Sequence, residues 1–286
     1  MKRLAAYLEL TKPRLTALAV LAVWVGARMA TRVAMPWPWL LLTLAGAALV
    51  GGGGHALNQW AEAEQDALME RTKRRPLPSG RIRPVEALLV GGVLSVTGVA
   101  LLFWRVNPLT GWLGLATLVS YVGLYTPLKR VTSLCTLVGA VSGAMPPLIG
   151  WAAARGSLAL EAWVLFALLF MWQLPHFLAI GWVHRADYAR AGFRILSVVD
   201  PQGLSTARHM VLYGLALVPI SLLPTLLQVA GPLYFMGAAV AGAVFVATAV
   251  AAARARTVAP AYRVFVASLG YLPTVLLLLV LDRAPL

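Results

Sequence analysis

The sequence predicts an all-α, polytopic integral membrane protein with nine transmembrane helices. Of the 286 residues, 60% are hydrophobic and 12% are charged, whereas a water-soluble domain carries about 25% charged residues. The apolar residues form uncharged segments, most of which have the roughly 17–25 residues that cross the hydrocarbon core of a bilayer. No stretch has the composition of a separate soluble domain, so we expect one transmembrane domain over residues 1–286.

The uncharged segments define the nine helices in chain order. The first span covers about residues 13–33 and carries charges only near its ends. The segment 210–253 is about twice as long as one span needs to be and contains Gly231-Pro232, so we divide it into two helices. The remaining spans are 37–61, 87–104, 106–128, 131–154, 162–183 and 264–281.

The cysteine content and the start of the chain exclude several classes of protein. Cys135 is the only cysteine, which excludes a disulfide framework and a cysteine-rich metal site. The opening "MKRLAAYLELTKPR" contains an acidic residue and no small-residue cleavage site. We interpret it as a retained cytoplasmic end and not as a signal or transit peptide.

The net charge of +14 follows membrane topology, so we expect no nucleic acid partner. If the N-terminus is cytoplasmic, the inner segments hold 19 of the 24 Lys and Arg residues and eight of the ten acids. This positive-inside bias predicts that the C-terminus lies outside, because the number of helices is odd, and that any chemistry faces the cytoplasm. The outer cations are Arg28, Arg32, Arg105, Arg155 and Arg283.

Loops and helix breakers indicate where a functional cavity lies. Two inner loops, 62–86 and 184–209, are long and follow helices that run in the same direction, which suggests a loose internal duplication. Gly51–Gly54 lies inside the second helix, and Pro146-Pro147 and Pro175 are expected to interrupt the fifth and sixth. Such breaks are tolerated where helices line a cavity, and simple packing kinks are the alternative.

An acidic motif closes the second helix. Asn58, Glu62 and Asp66 are spaced i, i+4 and i+8, so they fall on one face of a helix. Oxygen ligands in this arrangement suit Mg²⁺, which prefers a few carboxylates together with substrate phosphates and water. Glu64 points to another face. An ordinary solvated helix end is the alternative interpretation.

A basic cluster follows the acids directly. So many like charges in a short loop repel one another unless an anion lies among them, and arginine offers forked donors to phosphate oxygens. Carboxylates and cations beside an apolar cavity therefore predict a site for an amphiphile with a metal-bound diphosphate head, such as an isoprenyl diphosphate. The cluster consists of Arg71, Lys73, Arg74, Arg75, Arg81 and Arg83.

Five stretches in order resemble the UbiA superfamily of intramembrane prenyltransferases, and most closely its haem-modifying branch. The first acidic motif is "NQWAEAEQDALMERTKRRPL", and Tyr125 and Lys129 carry the superfamily's Tyr-x-x-x-Lys. The matches extend from residue 10 to about residue 200. The other stretches are "LTKPR", "YTPLKRVT", "GAVSGAMPPLIGW" and "WQLPHF" leading into "RADYARAGFRILSV".

The resemblance implies nine helices around a central, lipid-facing cavity and Mg²⁺-assisted ionisation of farnesyl diphosphate. It assigns the metal and diphosphate to Asn58, Glu62 and Asp66, and it places Tyr125 near the departing group. Asp187 represents the second acidic motif and a further metal contact. The residues expected to neutralise diphosphate oxygens are Arg71, Lys73, Arg75, Lys129 and Arg185, assisted by Lys12 and Arg14.

The resemblance also has departures and open positions. The wider superfamily usually has two or more acids in the second motif, whereas His184 and Tyr188 flank Asp187 here. His176 and His184 are candidates for contact with a haem substrate, because a histidine in a membrane span often marks function; hydrogen-bonded packing is the alternative. Cys135 stands where the family often has Asn, and we expect no direct role for it.

The expected reaction transfers a farnesyl group to the vinyl group of haem B in the cell membrane, and a downstream haem A synthase is an expected partner. A sister prenyltransferase acting on a quinone precursor or another aromatic acceptor is the main alternative. A transporter is the third hypothesis, but it predicts charges near the bilayer midplane. Here the charges lie at the helix ends.

Overall fold

The computed structural model describes residues 2–31 and 33–284 and consists of helices joined by loops. Arg32, which the sequence assigns to the outer face, lies outside the described residues. The helices are α1 (Lys2–Leu10), α2 (Pro13–Ala30), α3 (Trp37–Ala61), α4 (Ala63–Leu68), α5 (Pro84–Leu101), α6 (Pro108–Leu118), α7 (Thr126–Leu128), α8 (Cys135–Arg155), α9 (Leu160–Val183), α10 (Arg185–Arg190), α11 (Leu196–Val199), α12 (Leu204–Leu226), α13 (Pro232–Ala255) and α14 (Val258–Leu281). A π-helical segment, Leu102–Val106, extends α5, and a second, Val119–Tyr125, joins α6 to α7.

Nine of these units are long and apolar enough to cross a membrane, which confirms the predicted number within the described ranges. Their boundaries differ from the predicted ones by a few residues. The first span ends at Ala30, while α12 begins at Leu204 and α14 at Val258. These two helices, α12 and α14, start earlier than predicted because Arg208 and Arg263 are accommodated within their first two turns, where long cationic side chains reach the interface.

Close backbone contact joins α3 to α5 along the glycines of α3. A Cβ atom added at Gly53 would lie 2.4 Å from Ser95 Oγ and 2.9 Å from the carbonyl oxygen of Gly91. Small residues permit this approach in a membrane, where packing rather than water exclusion drives helix association. The glycine run therefore serves helix contact, as its sequence position suggested.

The prediction that prolines interrupt two helices is wrong. Pro146 and Pro147 lie inside a continuous α8, and Pro175 lies inside a continuous α9. Around Pro147, α8 crosses α2 so closely that a Cβ added at Gly26 would lie 2.1 Å from the carbonyl oxygen of Pro147. In a tightly packed bundle, adjacent backbone and small local adjustments can accommodate the hydrogen bonds that proline removes.

The bundle is organised around α8 and α9. The most buried of the nine spans is α8, which packs against α2, α6 and α9, while α9 also packs against α12 and α14. The largest apolar cluster unites α2, α8, α9, α12, α13 and α14, with Leu148, Leu168 and Tyr234 among its fully buried members. In contrast, the half of α2 nearest α1, residues 13–21, is largely exposed.

The two ends of the bundle have different chemistry. At the end where α3 and α9 finish, α1 packs through Ala6 and Leu10 beneath the loop that joins α4 to α5. Lys12, between α1 and α2, adopts a left-handed backbone conformation with φ 45°, which is uncommon for a residue with a side chain. The opposite end carries five exposed tryptophans: Trp37, Trp39, Trp104, Trp112 and Trp163.

Candidate active site

The acidic motif lies where α3 gives way to α4. The predicted single helix through the motif is wrong in one detail, because the helix is interrupted at Glu62, with φ −109° and ψ 14°. The i+4 spacing nevertheless survives, since the amide of Glu62 donates to Asn58 O (3.0 Å) and that of Asp66 to Glu62 O (2.8 Å). All three side chains are buried, so none projects into bulk solvent.

Each carboxylate of the motif forms an ion pair with a cation. Nζ of Lys129 lies 2.6 Å from Glu62 Oε1. Nη1 of Arg75 donates to both oxygens of Asp66, at 2.8 and 2.7 Å. Because the carboxylates are almost fully buried, these pairs neutralise charges that would otherwise be costly to desolvate.

Asn58 completes the motif with an oriented amide. Its Nδ2 donates to Thr126 Oγ1 (3.0 Å), and its Oδ1 accepts from Lys12 Nζ (3.4 Å). Thr126 in turn donates to the carbonyl oxygen of Tyr121 (2.9 Å). The amide oxygen is thus directed toward the same cations that surround the carboxylates.

The pKa values of the two lysines of the site are shifted in opposite directions. Burial acts to lower the pKa of Lys129, but the Glu62 carboxylate outweighs burial and raises that pKa above its ordinary value. Burial lowers the pKa of Lys12 to about 7, and the positive charges of Arg75 and Lys129 act in the same direction. A bound anion would favour the charged form of Lys12.

An adjoining cavity of about 560 Å³ opens beside the motif. Its polar lining comes from Lys12, Arg14, Arg75, Gln59 and Glu9, and its apolar lining comes from α1 and the first turn of α2. Gln59 Nε2 donates to the carbonyl oxygen of Leu10 (2.7 Å) and so fixes α1 against α3. A cavity of this volume with cations at one side fits an amphiphile with an anionic head.

Aromatic rings cover the site on the side of the second π-helical segment. Tyr121 and Tyr125 stack with centroids 5.9 Å apart, and Lys129 Nζ lies 4.4 Å from the Tyr125 centroid. Nδ1 of His55 lies 3.2 Å from the hydroxyl of Tyr121. Tyr121 and Tyr125 are four residues apart in this π-helical segment, so they lie on the same side of it.

The second acidic motif meets the first one through its loop. Asp187 accepts from the backbone amide of Arg71 (3.3 Å), and the Arg71 guanidinium donates to Tyr188 Oη (3.1 Å). Asp187 also pairs with Arg190. The amide of Arg194 donates to the carbonyl oxygen of Lys129 at 2.7 Å. The two long loops therefore form one assembly around the site.

Four predicted residues make their contacts away from the buried ion pairs of Glu62 and Asp66. Lys73 pairs with exposed Glu70 (2.5 Å). The Arg185 guanidinium lies over the ring of Trp182, 4.3 Å from its centroid. His184 caps α9 at the break before α10, and burial, followed by the charge of Arg71, lowers its pKa. His176 lies within α9, and its Nδ1 is 2.7 Å from Ser268 Oγ on α14.

Cys135 is buried at the start of α8 as a free thiol. Its Sγ lies 3.9 Å from the carbonyl oxygen of Ser133. This local contact is consistent with a packing residue, and a direct chemical role is not expected.

Comparison with known proteins identifies the family. The UbiA prenyltransferase family matches residues 19–272. The chain belongs to this family. The nine long apolar helices found among the described residues make it a multi-pass membrane protein.

Two bacterial relatives extend the similarity over nearly the whole chain. The protoheme IX farnesyltransferase of Solibacter usitatus is 48% identical over 97% of this chain and 98% of its own length. The enzyme of the same name from Koribacter versatilis is 42% identical over 97% of this chain and 93% of its own length.

Solved structures share the UbiA fold. A structure of digeranylgeranylglyceryl phosphate synthase has a TM-score of 0.83 at 18% identity and covers 99% of both chains. A UbiA homologue from Archaeoglobus fulgidus bound to GPP and Mg²⁺ has a TM-score of 0.67 at 13% identity, covering 96% of this chain and 99% of its own. At these identities the likeness establishes the fold.

The side chains of this UbiA-family site can supply only part of the coordination shell of a metal ion. The metal would take its other ligands from the substrate. Within the described part of the chain, no three His, Cys, Asp or Glu side chains form a metal-sized group. The motif instead offers two buried carboxylates, Glu62 and Asp66, and the amide oxygen of Asn58. That set suits Mg²⁺, which takes its remaining ligands from phosphate and water.

Two residues of the site, Thr126 and Tyr121, are absent from the sequence-based prediction. Thr126 orients Asn58, and Tyr121 stacks on Tyr125. Tyr121 lies four residues before Tyr125, so helical spacing alone could have indicated it. The contact of Thr126 with Asn58 spans 68 residues of sequence, and no local pattern predicts it.

Proposed function

We propose that the protein transfers the farnesyl group of farnesyl diphosphate to the vinyl group of haem B and gives haem O. The observation that carries this conclusion is the 48% identity, over nearly the full length of both chains, to a protoheme IX farnesyltransferase. The paired acids and cations beside a partly apolar cavity support ionisation of a prenyl diphosphate at this site.

The metal and diphosphate are assigned to the acidic motif. Asn58, Glu62 and Asp66 would hold Mg²⁺ together with diphosphate oxygens, and Asp187 is the proposed contact from the second motif. When bound, Mg²⁺ neutralises charge that develops on the departing diphosphate. Support comes from the burial of the first three side chains and from their common position around Lys12, Arg75 and Lys129.

The cations act on the diphosphate as fixed charges. Arg75 and Lys129 already lie at the carboxylates, and Lys12 and Arg14 line the adjoining cavity. Donors held in a buried site stabilise developing negative charge more strongly than donors in water. Arg71 reaches the site from the first loop, whereas Lys73 and Arg185 would have to leave Glu70 and Trp182 to join it.

Aromatic and apolar side chains protect the allylic cation. Loss of diphosphate leaves a delocalised positive charge on the farnesyl group, which water would quench. Tyr125, beside Lys129, is the residue proposed to face the departing group, and Tyr121 extends the same aromatic wall. The faces of these rings attract positive charge. No side-chain nucleophile is required.

Orientation and partners follow from the same proposal. The site is assigned to the cytoplasmic face of the cell membrane, with the N-terminus inside and the C-terminus outside, on the basis of the distribution of Lys and Arg. A haem A synthase, which would consume the product, is the proposed downstream partner.

The test is an assay of membranes that contain the protein. Haem B, farnesyl diphosphate and Mg²⁺ are supplied, and the products are analysed by mass spectrometry. We expect haem B to gain one farnesyl group and one hydroxyl group. Farnesylated 4-hydroxybenzoate in a parallel reaction, with haem B unchanged, would instead establish the quinone-precursor alternative.

A further inference from the structure

His176 occupies an aromatic enclosure between α9 and α14. Its ring stacks on Trp172 with centroids 5.2 Å apart and lies 5.1 Å from the ring of Phe265 and 5.6 Å from that of Phe177. The indole Nε1 of Trp172 donates to the carbonyl oxygen of Ser268 at 2.8 Å. An imidazole in such apolar surroundings needs a partner for each nitrogen or a function for the one without a partner.

The hydrogen bonds at Ser268 assign one tautomer to His176. The Ser268 hydroxyl carries one proton, which it donates to the carbonyl oxygen of Phe265 at 2.5 Å. The same Oγ lies 2.7 Å from His176 Nδ1, so it must accept the proton of Nδ1. Nε2 is therefore the unprotonated nitrogen, with its lone pair directed away from Ser268.

That lone pair has no hydrogen-bond donor among the described residues. His176 is only partly buried, and its Nε2 is not among the sealed polar atoms of the described residues. Histidines that ligate metals have this arrangement, in which one nitrogen donates to a fixed acceptor and the other faces the metal. A single imidazole without nearby acids does not make a complete site for a free ion, but it suffices for iron already held by a porphyrin.

We propose that Nε2 of His176 is the axial ligand of the iron of the porphyrin substrate. The proposal rests on the function proposed above and adds to it the residue that positions the acceptor. Trp172, Phe177 and Phe265 provide apolar ring contacts suited to the porphyrin, and Ser268 fixes the direction of the imidazole. His176 lies eight residues before His184, which is about 12 Å along α9.

The other three histidines lack this arrangement. His55 contacts the hydroxyl of Tyr121 beside the acidic motif. His184 lies at the break after α9, near Arg71 and Asp187. His209 is partly buried, and its Nδ1 contacts the carbonyl oxygen of Ser205 in its own helix. His209 therefore provides a matched control.

The test uses the purified full-length protein in lipid nanodiscs, titrated with iron protoporphyrin IX. We expect resonance Raman spectra of the ferrous complex to contain an iron–histidine stretch, and electron paramagnetic resonance of the ferric complex to indicate nitrogen ligation. His176→Ala is expected to lose both signals and to regain nitrogen ligation with added imidazole. His176→Met, which keeps side-chain bulk, is expected to give a thioether-type spectrum. His209→Ala should match the wild type.

Two further measurements separate ligation from packing. Metal-free protoporphyrin IX should bind the wild type and His176→Ala with similar affinity, because it has no iron to coordinate. Ser268→Ala should keep the histidine signal but bind iron porphyrin about tenfold more weakly, as loss of a ligand's hydrogen-bond partner typically does. If His176→Ala loses the same fraction of its affinity for iron porphyrin and for metal-free porphyrin, His176 acts only through packing, and the proposal is overturned.

The outcomes also distinguish this inference from the proposed function. If the wild type farnesylates haem B while folded His176→Ala and His176→Met retain its spectrum, the ligand assignment is wrong and the function stands. If His184→Ala rather than His176→Ala removes the signal, the ligand is the other histidine. If the wild type neither binds iron porphyrin nor farnesylates it, both proposals fail. Binding of farnesyl diphosphate with Mg²⁺ by His176→Ala should be unchanged.

Discussion

The two acids of the first motif are neutralised by cations at very different distances along the chain. Lys129 is 67 residues from Glu62, whereas Arg75 is nine residues from Asp66. Removing one member of a buried ion pair is costly because the other charge is left without a partner. A test of the motif therefore has to keep the shape of each side chain while it changes only the charge.

Asp66→Asn keeps the shape of the side chain and removes one carboxylate from the proposed metal site. We expect haem O formation to fall by at least about 10²-fold, the loss typical when one electrostatic contact to a transition state is removed. Product is measured by mass spectrometry, and folding by the thermal unfolding of the purified protein. Glu64→Gln is the matched control, because Glu64 lies two residues away and is exposed. Full activity in folded Asp66→Asn would refute the metal assignment.

The ion pairs also predict that metal and diphosphate bind cooperatively. Glu62 and Asp66 must exchange Lys129 and Arg75 for a metal, and the released cations then need an anion. We expect a thiolo analogue of farnesyl diphosphate to bind about 5–150-fold more tightly with saturating Mg²⁺ than without it, which corresponds to a coupling of about 1–3 kcal/mol. Isothermal titration calorimetry measures both affinities.

The same titration has an internal control at the surface. Arg81 pairs with Glu9 where both side chains are substantially exposed, so Arg81→Gln should leave the coupling unchanged. Equal affinities with and without Mg²⁺ in the wild type would show that the carboxylates do not exchange partners.

At the scale of elements, the bundle contains the same local arrangement twice: a long helix, a one-residue break and a short helix. A single non-helical residue follows both α3 and α9, and its backbone conformation is nearly the same in the two places. The angles are φ −109° and ψ 14° at Glu62, and φ −107° and ψ 21° at His184. A six-residue helix follows each break. This supports the loose duplication that loop positions suggested, and it aligns Glu62 with His184 and Asp66 with Tyr188. The second motif therefore lacks acids at both aligned positions.

The sequence predicts the elements better than their interruptions. Hydrophobic length gives nine spans because hydrocarbon thickness dictates it, and the spacing of Asn58, Glu62 and Asp66 gives the motif. Continuous α8 and α9 depend on contacts with other helices, which no local pattern contains. The contact of Lys129 with Glu62 across 67 residues of sequence is likewise tertiary.

The contact of α3 with α5 offers a stability test at this scale. Gly53→Ala would place a methyl group 2.4 Å from Ser95 Oγ, and we expect a destabilisation of about 1–3 kcal/mol, as in other overpacked cores. The unfolding temperature in detergent is the measurement. Gly92→Ala is the control, because a Cβ there meets nothing within 4 Å. If Gly53→Ala is as stable as Gly92→Ala, α3 and α5 can move apart to accommodate the added methyl group without loss of stability.

At the scale of the whole molecule, two independent features divide the two ends of the bundle. The end opposite the site carries the five exposed tryptophans of α3, α5, α6 and α9, in keeping with the aromatic belt of a membrane interface. The end that holds the site carries most of the Lys and Arg residues. An asymmetric charge distribution orients a membrane protein, whereas aromatic belts occur at both interfaces, so the charges decide the expected direction.

The orientation can be tested because the chain has one cysteine and it is buried. In a Cys135→Ser background, which we expect to remain active, Ser157→Cys would label the exposed loop between α8 and α9, and Gln202→Cys the exposed loop before α12. With the site facing the cytoplasm, an impermeant maleimide should modify Ser157→Cys in intact bacterial spheroplasts and Gln202→Cys only after the membrane is permeabilised. The reverse pattern would place the site outside, where the distribution of Lys and Arg would contradict the positive-inside rule.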